Sequence, residues 1–222
     1  MVPNTAGLDT RAALISAAIG MLGESGFAAA SARRIAQRAG CNQALVFYHF
    51  GSVNDLLIAA LEEVSSRRMA AYRELLDRTG TLAELASAAR EVFEADLDAG
   101  HVRVLAEMIS GSQSAPGLGE RVAGVLAPWR EFAVEAMREV MAASPFGPLV
   151  PPEHLAHAAV AGLLGLEMLA SLDGDRAPAL ALFDHARDLG DLLDRLRPLA
   201  ALFASAGLGP AGPGKPPNST ED

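Results

Sequence analysis

The chain has 222 residues, half of them hydrophobic and 5% aromatic, and its formal net charge at pH 7 is −9. This length allows one large domain, or a small and a medium domain, with a buried core. The first residues lack the basic and apolar segments of a secretory signal. The longest apolar stretch, 156–172, contains His157 and Glu167 and is expected to be a buried helix. The single Cys41 cannot form an intramolecular disulfide, so we expect a cytoplasmic protein with no membrane partner.

The charge is unevenly distributed along the chain. Residues 1–53 contain four basic and two acidic side chains, whereas the remaining residues contain 14 basic and 25 acidic ones. An acidic body behind a mildly basic head lets only the head approach a phosphate backbone. The overall negative charge therefore does not exclude nucleic acid as a partner.

Helical periodicity, broken by Gly and Pro, predicts an all-α chain of about nine helices. The first three are expected at about 10–24, 31–40 and 42–50, with Ser31 and Asn42 as N-caps. The other six are expected to follow Ser52 and then to cover about 81–100, 101–112, 117–143, 153–172 and 178–205. Pro128 is expected to kink the seventh helix. Residues 207–222 are rich in Gly and Pro and are expected to be a disordered tail.

The second and third predicted helices have the layout of a helix-turn-helix. They are joined by a tight turn at Gly40, and their apolar residues are spaced to bury one small core: Ile35, Ala36, Ala39, Leu45 and Val46. The residues left for the outside are polar or basic: Arg33, Arg34, Gln37, Arg38, Gln43, Tyr48 and His49. In this motif the second helix enters the major groove of DNA.

The same stretch resembles the DNA-binding domain of the TetR family of repressors. The matching elements are Gly26-Phe27, Ser31, Ile35-Ala36, Ala39-Gly40 and the aromatic run 47–50 that leads to Leu56-Leu57. The resemblance implies a three-helix DNA-binding domain at 1–53 and a helical ligand-binding and dimerisation domain at 54–206. Two residues of this chain depart from the family pattern. Val53 stands where a phosphate-contacting Lys is usual, which is expected to weaken DNA affinity somewhat, and Cys41 replaces an aliphatic residue and is expected to be structural.

Nine residues are predicted to contact operator DNA: Ser31, Arg33, Arg34, Asn42, Gln43, Ala44, Phe47, Tyr48 and His49. Gln43 either pairs with adenine or is a solvated side chain at the helix start. Arg33 either reaches a guanine edge or a phosphate, or is a surface charge. Tyr48 and His49 resemble the family's phosphate-contacting pair, unless one of them only packs. Ser31 is expected to act mainly as an N-cap, and Phe47, like Phe50, to pack mainly in the core.

A ligand pocket is predicted from bulky, soft side chains on the fourth to seventh helices and from Glu167 on the eighth: Met69, Tyr72, Phe93, Met108, Trp129, Phe132, Met137 and Glu167. By spacing alone the apolar ones are core residues; in a TetR-like body the space between these helices is the ligand pocket. Glu167 is either a polar anchor in the pocket or interface, or lies at the wet edge of its helix. The acidic body, and a predicted pocket without an Arg or Lys cluster, favour a neutral or cationic lipophilic ligand. Its binding is expected to move the fourth helix.

The last two helices carry apolar stripes that predict a homodimer through about 153–172 and 178–205. The stripes are Leu155, Ala159, Gly162, Leu166 and Leu169 in the eighth helix, and Leu189, Leu193, Leu196, Leu199 and Phe203 in the ninth. The alternative is that both faces pack on their own subunit.

These patterns favour a ligand-responsive DNA-binding regulator, most simply a repressor released from its operator by a small apolar molecule. The alternative is a helical ligand-binding or interaction protein with weakened DNA binding. No nucleophile-and-base set, phosphate loop or complete metal-ligand set supports an enzyme. Glu153, His154 and His157 have helical spacing that could hold a metal, but a solvated helix start is preferred. No cofactor and no metal are expected.

Overall fold

The computed structural model describes residues 5–77, 79–142 and 150–205, and every regular element within these ranges is helical. The nine α-helices of this described part, named α1 to α9 in chain order, are Thr5–Ser25, Ala32–Arg38, Ala44–Phe50, Val53–Leu76, Leu82–Ala99, His101–Ser112, Leu118–Ala142, Pro152–Asp173 and Ala177–Ser205. A 3₁₀ turn at Phe27–Ala29 joins α1 to α2, and the sequence patterns do not predict it. The all-α fold class is confirmed.

The helix starts that the sequence predicts are held by their capping side chains. The Ser31 hydroxyl accepts a hydrogen bond from the Arg34 N–H at 3.4 Å, and the Ser52 hydroxyl accepts one from the Asp55 N–H at 3.1 Å. Thr81 and Glu84 form a complete capping box at the start of α5. These bonds satisfy backbone donors that the helices leave unpaired, which is why short-range patterns locate the boundaries well.

Two predicted helix starts differ from the structure: α1 begins at Thr5, about five residues before the predicted start, and α3 begins slightly later than predicted. Helix α3 begins at Ala44, and the Asn42 side chain accepts a hydrogen bond from the Ala44 N–H at 2.8 Å, so Asn42 still holds the first turn. Pro128 lies inside α7, and the kink expected there stays a prediction. The predicted tail at 207–222 lies outside the described residues.

One hydrophobic core joins the N-terminal helices to part of the body. The head contributes the fully buried Leu14, Leu22, Ile35, Val46 and Leu56. Helices α6 and α7 add Leu105, Met108 and Leu118 to the same core. Helix α4 runs without a break from the head into the body, so the predicted domain boundary at residue 53 stays a prediction.

Helix α8 is long and apolar enough to cross a membrane by length and composition, yet only 17% of its most apolar window is buried. The expectation that 156–172 is buried is therefore wrong for a single chain. A hydrophobic pattern indicates that a face must be covered, but not by what. The large apolar side chains left exposed on α8 and α9 are Met168, Leu169, Leu172, Leu182, Leu189 and Leu192.

Candidate DNA-binding surface and interior polar cluster

Helix α3 is buried on one face and open on the other. Val46 is fully buried in the head core, whereas Tyr48 on the opposite face is 81% exposed. Asn42, Gln43 and Ala44 at the start of this helix are also exposed. The side-chain amides of Asn42 and Gln43 are therefore accessible to a partner at the start of α3, and the Tyr48 phenol is accessible one turn further on.

Helix α2 adds a second set of accessible groups, because Ser31, Arg33 and Arg34 are exposed. Arg38 on the same helix is used differently. Its guanidinium makes two hydrogen bonds to the Glu24 carboxylate, at 2.5 and 2.6 Å, and so ties α2 to the end of α1. Arg33 and Arg34 are consequently the better basic candidates for a phosphate or a base edge.

The aromatic run divides between core and surface. Phe50 packs against the head core as expected, with the Arg11 guanidinium 5.1 Å from its ring centre. The expectation that Phe47 packs mainly in the core is wrong, since its side chain is 52% exposed. His49 is half-buried, and its ring meets that of Tyr48 edge-on with 5.0 Å between centroids.

The two departures from the family pattern both lie at the edge of the head core. Cys41 and Val53 are partly buried and pack against that core. A side chain that packs as an apolar group is the structural role expected of Cys41. Val53 has the same role, so the first turn of α4 gains apolar packing at this position and lacks an ammonium group.

Two polar contacts link the 3₁₀ turn and the start of α4 to helices α6 and α7. The Glu107 carboxylate on α6 accepts a hydrogen bond from the Phe27 N–H at 2.8 Å. The Arg121 guanidinium on α7 lies 2.7 Å from the Asp55 carboxylate on the first turn of α4. Since α4 directly follows α3, a shift of α6 or α7 would displace residues next to α3.

Inside the body, five helices bring polar side chains to one place. We call this group the interior polar cluster; its members are Arg68, Tyr72, Asp96, His101, Trp129 and Glu167. The Arg68 guanidinium pairs with Asp96 and lies 3.4 Å from Glu167 Oε1. The Tyr72 hydroxyl donates to Asp96 Oδ2 at 2.6 Å, and His101 Nδ1 lies 3.0 Å from Asp96 Oδ1.

Aromatic rings close this cluster on the side of α7. The Trp129 ring centre lies 5.3 Å from the Arg68 guanidinium carbon, and the rings of Trp129 and Tyr72 meet edge-on with 4.9 Å between centroids. The Trp129 indole N–H donates to the Ser65 hydroxyl at 2.7 Å. A guanidinium held over two aromatic faces is stabilised by the ring quadrupoles as well as by its carboxylates.

The pKa values of the two carboxyl groups in the cluster are shifted in opposite directions. Burial acts to raise the pKa of Asp96, but hydrogen bonds from His101, Arg68 and Tyr72 outweigh it and hold that pKa below its usual value. Burial raises the pKa of Glu167 to about 8; the charge of Arg68 opposes this shift, and the charge of Asp96 and a side-chain hydrogen bond with it reinforce the shift. Asp96 is thus the ionised partner of Arg68, and Glu167 is largely protonated at neutral pH.

The predicted pocket residues lie in several surroundings. Tyr72, Trp129 and Glu167 come together in the interior polar cluster. Met69 lines a groove of about 590 Å³ between α4 and α7. Phe93 instead packs on Phe183 of α9, with 5.3 Å between ring centroids.

The remaining predicted pocket residues lie apart from the cluster. Met108 belongs to the core shared with the head. The Phe132 ring centre lies 6.0 Å from the Arg73 guanidinium carbon, and Met137 is half-buried. Glu167 has no exposed surface, so the interpretation that it lies at the wet edge of its helix is wrong.

Arg68, Asp96 and His101 are cluster members that the sequence patterns do not predict. Arg68 follows another arginine, and such a pair is typical of a solvated face, while Asp96 sits among other acids. The usable signal is helical spacing: Leu61, Val64 and Arg68 fall on one face of α4, and the first two are buried. An arginine on a buried face needs a carboxylate partner.

Comparison with known proteins agrees with this geometry. Residues 14–60 match the model for bacterial regulatory proteins of the tetR family. No curated protein matches the chain.

Several solved structures share the whole fold. A putative TetR-family transcriptional regulator from Rhodococcus sp. is 19% identical with a TM-score of 0.70, covering 82% of this chain and 98% of that one. The regulator FadR from Bacillus subtilis, in complex with stearoyl-CoA, is 16% identical with a TM-score of 0.66, covering 80% and 96%. A member of the TetR family from Streptomyces coelicolor is 26% identical with a TM-score of 0.59, covering 80% and 97%. The chain thus matches the model for bacterial regulatory proteins of the tetR family over residues 14–60, and over most of its length its fold is that of TetR-family transcriptional regulators.

Proposed function

We propose that this protein is a dimeric repressor that a small apolar molecule releases from its operator. The observation that carries the proposal is the open face of α3, whose exposed Gln43 and Tyr48 stand on a helix fixed from behind by the buried Val46. Residues predicted to contact DNA on α2 and at the start of α3 share that accessibility. A rigid helix with a polar exposed face suits the major groove.

The direct test is a gel shift with the upstream region of the protein's own gene at several salt concentrations. A DNA-binding regulator should bind with an affinity that falls linearly with salt on logarithmic axes, because phosphate contacts release counterions. Failure to bind this region, with the fold intact, would favour the alternative of a helical ligand-binding or interaction protein. Val53 is the feature that motivates that alternative.

Operator symmetry gives a second prediction. A two-fold dimer presents two copies of α3, so specific binding requires two half-sites. Scrambling one half-site should cost about 1–3 kcal/mol of binding free energy for each base pair whose contacts are lost. Fluorescence anisotropy with intact and half-scrambled duplexes measures this difference. Equal affinities would mean that the protein binds DNA as a monomer.

Substitutions on α3 separate base reading from backbone anchoring. Gln43→Ala should reduce the preference at one or two operator positions by about 1–3 kcal/mol and leave the salt slope nearly unchanged. Tyr48→Phe and His49→Ala should instead weaken binding to all sequences alike, since phosphate contacts carry no sequence information. Binding to a panel of single-base operator variants distinguishes these results. A uniform loss for Gln43→Ala would exchange the roles.

We propose dimerisation through the exposed apolar faces of α8 and α9. In a single chain these faces leave several large aliphatic side chains in water, among them Leu169 at 60% and Leu189 at 56% exposure. Pairing across a two-fold axis would cover both faces with copies of themselves. Leu193 is half-buried, and the side chains of Leu196, Leu199 and Phe203 lie outside the described residues.

The small-molecule part of the proposal rests on the body. The groove between α4 and α7 has the size of small-ligand sites, and its wall combines aliphatic side chains, such as Ile58, Met69 and Val125, with polar and charged ones. The stearoyl-CoA complex of the regulator from Bacillus subtilis supports the idea that this fold can hold a ligand with a long apolar chain. A ligand that favours one arrangement of α4 would shift the operator affinity, with a coupling free energy of typically about 1–3 kcal/mol.

A further inference from the structure

Glu167 is a buried carboxyl group that its own chain leaves incompletely satisfied. Its side chain has no exposed surface, and its nearest donor is Arg68 Nη2, 3.4 Å from Oε1. Among the described residues, Glu167 Oε2 has no hydrogen-bond partner, and the same holds for Arg68 Nε. A buried polar atom without a partner is costly, and it is uncommon unless the site has a further use.

The cluster also has one arginine for two carboxyl groups. Arg68 pairs with Asp96, which receives the Tyr72 hydroxyl and faces His101 as well. These are the titratable groups that the five surrounding helices bring to Glu167. Burial raises the pKa of Glu167 to about 8, so the free protein holds a proton there at neutral pH. The group is a potential anion that lacks its own counter-charge.

The groove between α4 and α7 is joined to this cluster by Trp129. Trp129 donates its indole N–H to the hydroxyl of Ser65, a residue of the groove wall, and covers the Arg68 guanidinium with its ring. Trp129 thus contacts both the groove wall and the cluster. The groove is lined by aliphatic and by charged side chains, among them Ile58, Met69, Pro128, Glu62, Arg73 and Arg121.

We propose that the body binds a lipophilic cation, whose apolar part fills the groove and whose ammonium group pairs with Glu167. The inference deepens the proposed function, since it names the chemical class of the apolar effector. The step is a cation-for-proton exchange: the ammonium enters with its charge, Glu167 loses its carboxyl proton to solvent, and the charge of the interior is unchanged. Binding should therefore become stronger as the pH rises through the value at which Glu167 titrates.

Three probes of the same size test the charge requirement: 4-phenylbutylamine, 4-phenylbutanol and 4-phenylbutanoate. Titration calorimetry of the full chain, without DNA, gives their affinities at several pH values. The amine should bind at least about tenfold more tightly than the alcohol at pH 9, and this preference should fall about tenfold by pH 7, because Glu167 must first lose its proton. Repeating the pH 7 titration in buffers of different ionisation enthalpy should show close to one proton released per amine and none per alcohol.

Glu167→Gln should abolish the proton release and the pH dependence and leave the affinity for the alcohol unchanged. Glu153→Gln is the matched control, since Glu153 is an exposed carboxylate on the same helix, 3.5 Å from Arg138, and it should behave as the wild type. Equal binding of amine and alcohol without proton release would overturn the inference. Tightest binding of 4-phenylbutanoate would overturn it as well and would assign Arg68 as the anchor.

These measurements need no operator, so the inference and the proposed function can fail separately. If the amine binds with proton release but does not dissociate the protein from its operator, the cation site is supported and the proposal of a ligand-controlled repressor is contradicted. If another ligand class releases the protein from its operator, without proton exchange at Glu167, the repressor is supported and the cation site is contradicted.

Discussion

Replacing Leu169 and Leu189 with glutamate is expected to convert the dimer into monomers. These side chains are among the most exposed apolar groups of α8 and α9. In the proposed dimer each would be buried against the partner, so the double variant would place four carboxylates in a desolvated interface. Burying unpaired charges costs several kcal/mol per group, which exceeds what the remaining contacts of one helix pair supply. Light scattering coupled to size exclusion measures the mass directly.

Ile109→Glu is a suitable control for that variant. Ile109 is also an exposed aliphatic residue, at 43%, but it lies on α6. This variant should remain dimeric, which would show that the effect depends on the position of the charge. If the Leu169/Leu189 double variant keeps the mass of a dimer, the interface lies elsewhere and the exposed faces of α8 and α9 need another partner.

Local chemistry explains why much of the head could be predicted from the sequence. A cap such as Ser31 or Thr81 bonds to a backbone group three residues away. Ile35 on α2 and Val46 on α3 are buried between exposed neighbours, and each pattern follows from the periodicity of its own helix. These features are determined over a few turns of chain. The same reasoning fails for Phe47, which is exposed. Phe47 belongs to a run of four aromatic residues, and such a run does not show which of its members face the core.

The interior of the body depends on contacts between residues far apart in sequence. Arg68 and Asp96 are 28 residues apart, and Arg68 and Glu167 are 99 apart, so no local pattern pairs them. The sequence prediction of a neutral or cationic ligand rested on the lack of an Arg or Lys cluster among the predicted pocket residues. The structure places one arginine, Arg68, beside Tyr72 and Trp129. Its charge is already matched by Asp96, however, so the cluster does not become an anion site.

The contact between Phe27 and helix α6, which we call the seam, depends on a close approach that only glycine allows. The Phe27 ring from the 3₁₀ turn rests on Gly111 of α6, and a Cβ atom built on Gly111 would lie 2.3 Å from Phe27 Cγ. This distance is far below van der Waals contact. The Phe27 N–H is at the same time held by the Glu107 carboxylate, one turn earlier on α6. Backbone and ring are therefore fixed to one stretch of the body.

Gly111→Ala is accordingly expected to lower the free energy of unfolding by about 1–3 kcal/mol, through overpacking against Phe27. Glycine-to-alanine changes inside helices ordinarily have the opposite sign, with a gain of about 0.4–1 kcal/mol. Gly124→Ala on α7 is the matched control, since nothing lies within 4 Å of its new methyl group, and it should show that gain. Urea unfolding followed by circular dichroism measures both.

A rescue experiment tells overpacking from a general weakness of α6. Adding Phe27→Ala to Gly111→Ala removes Phe27 Cγ, Cδ1 and Cδ2, the three atoms nearest the new methyl group, so the double variant should lose less than the sum of the two single losses. The seam also holds the segment between α1 and α2, so Gly111→Ala should lower operator affinity and Phe27→Ala should restore part of it. Additive losses in stability, or an unchanged operator affinity in Gly111→Ala, would mean that the head is not positioned through this contact.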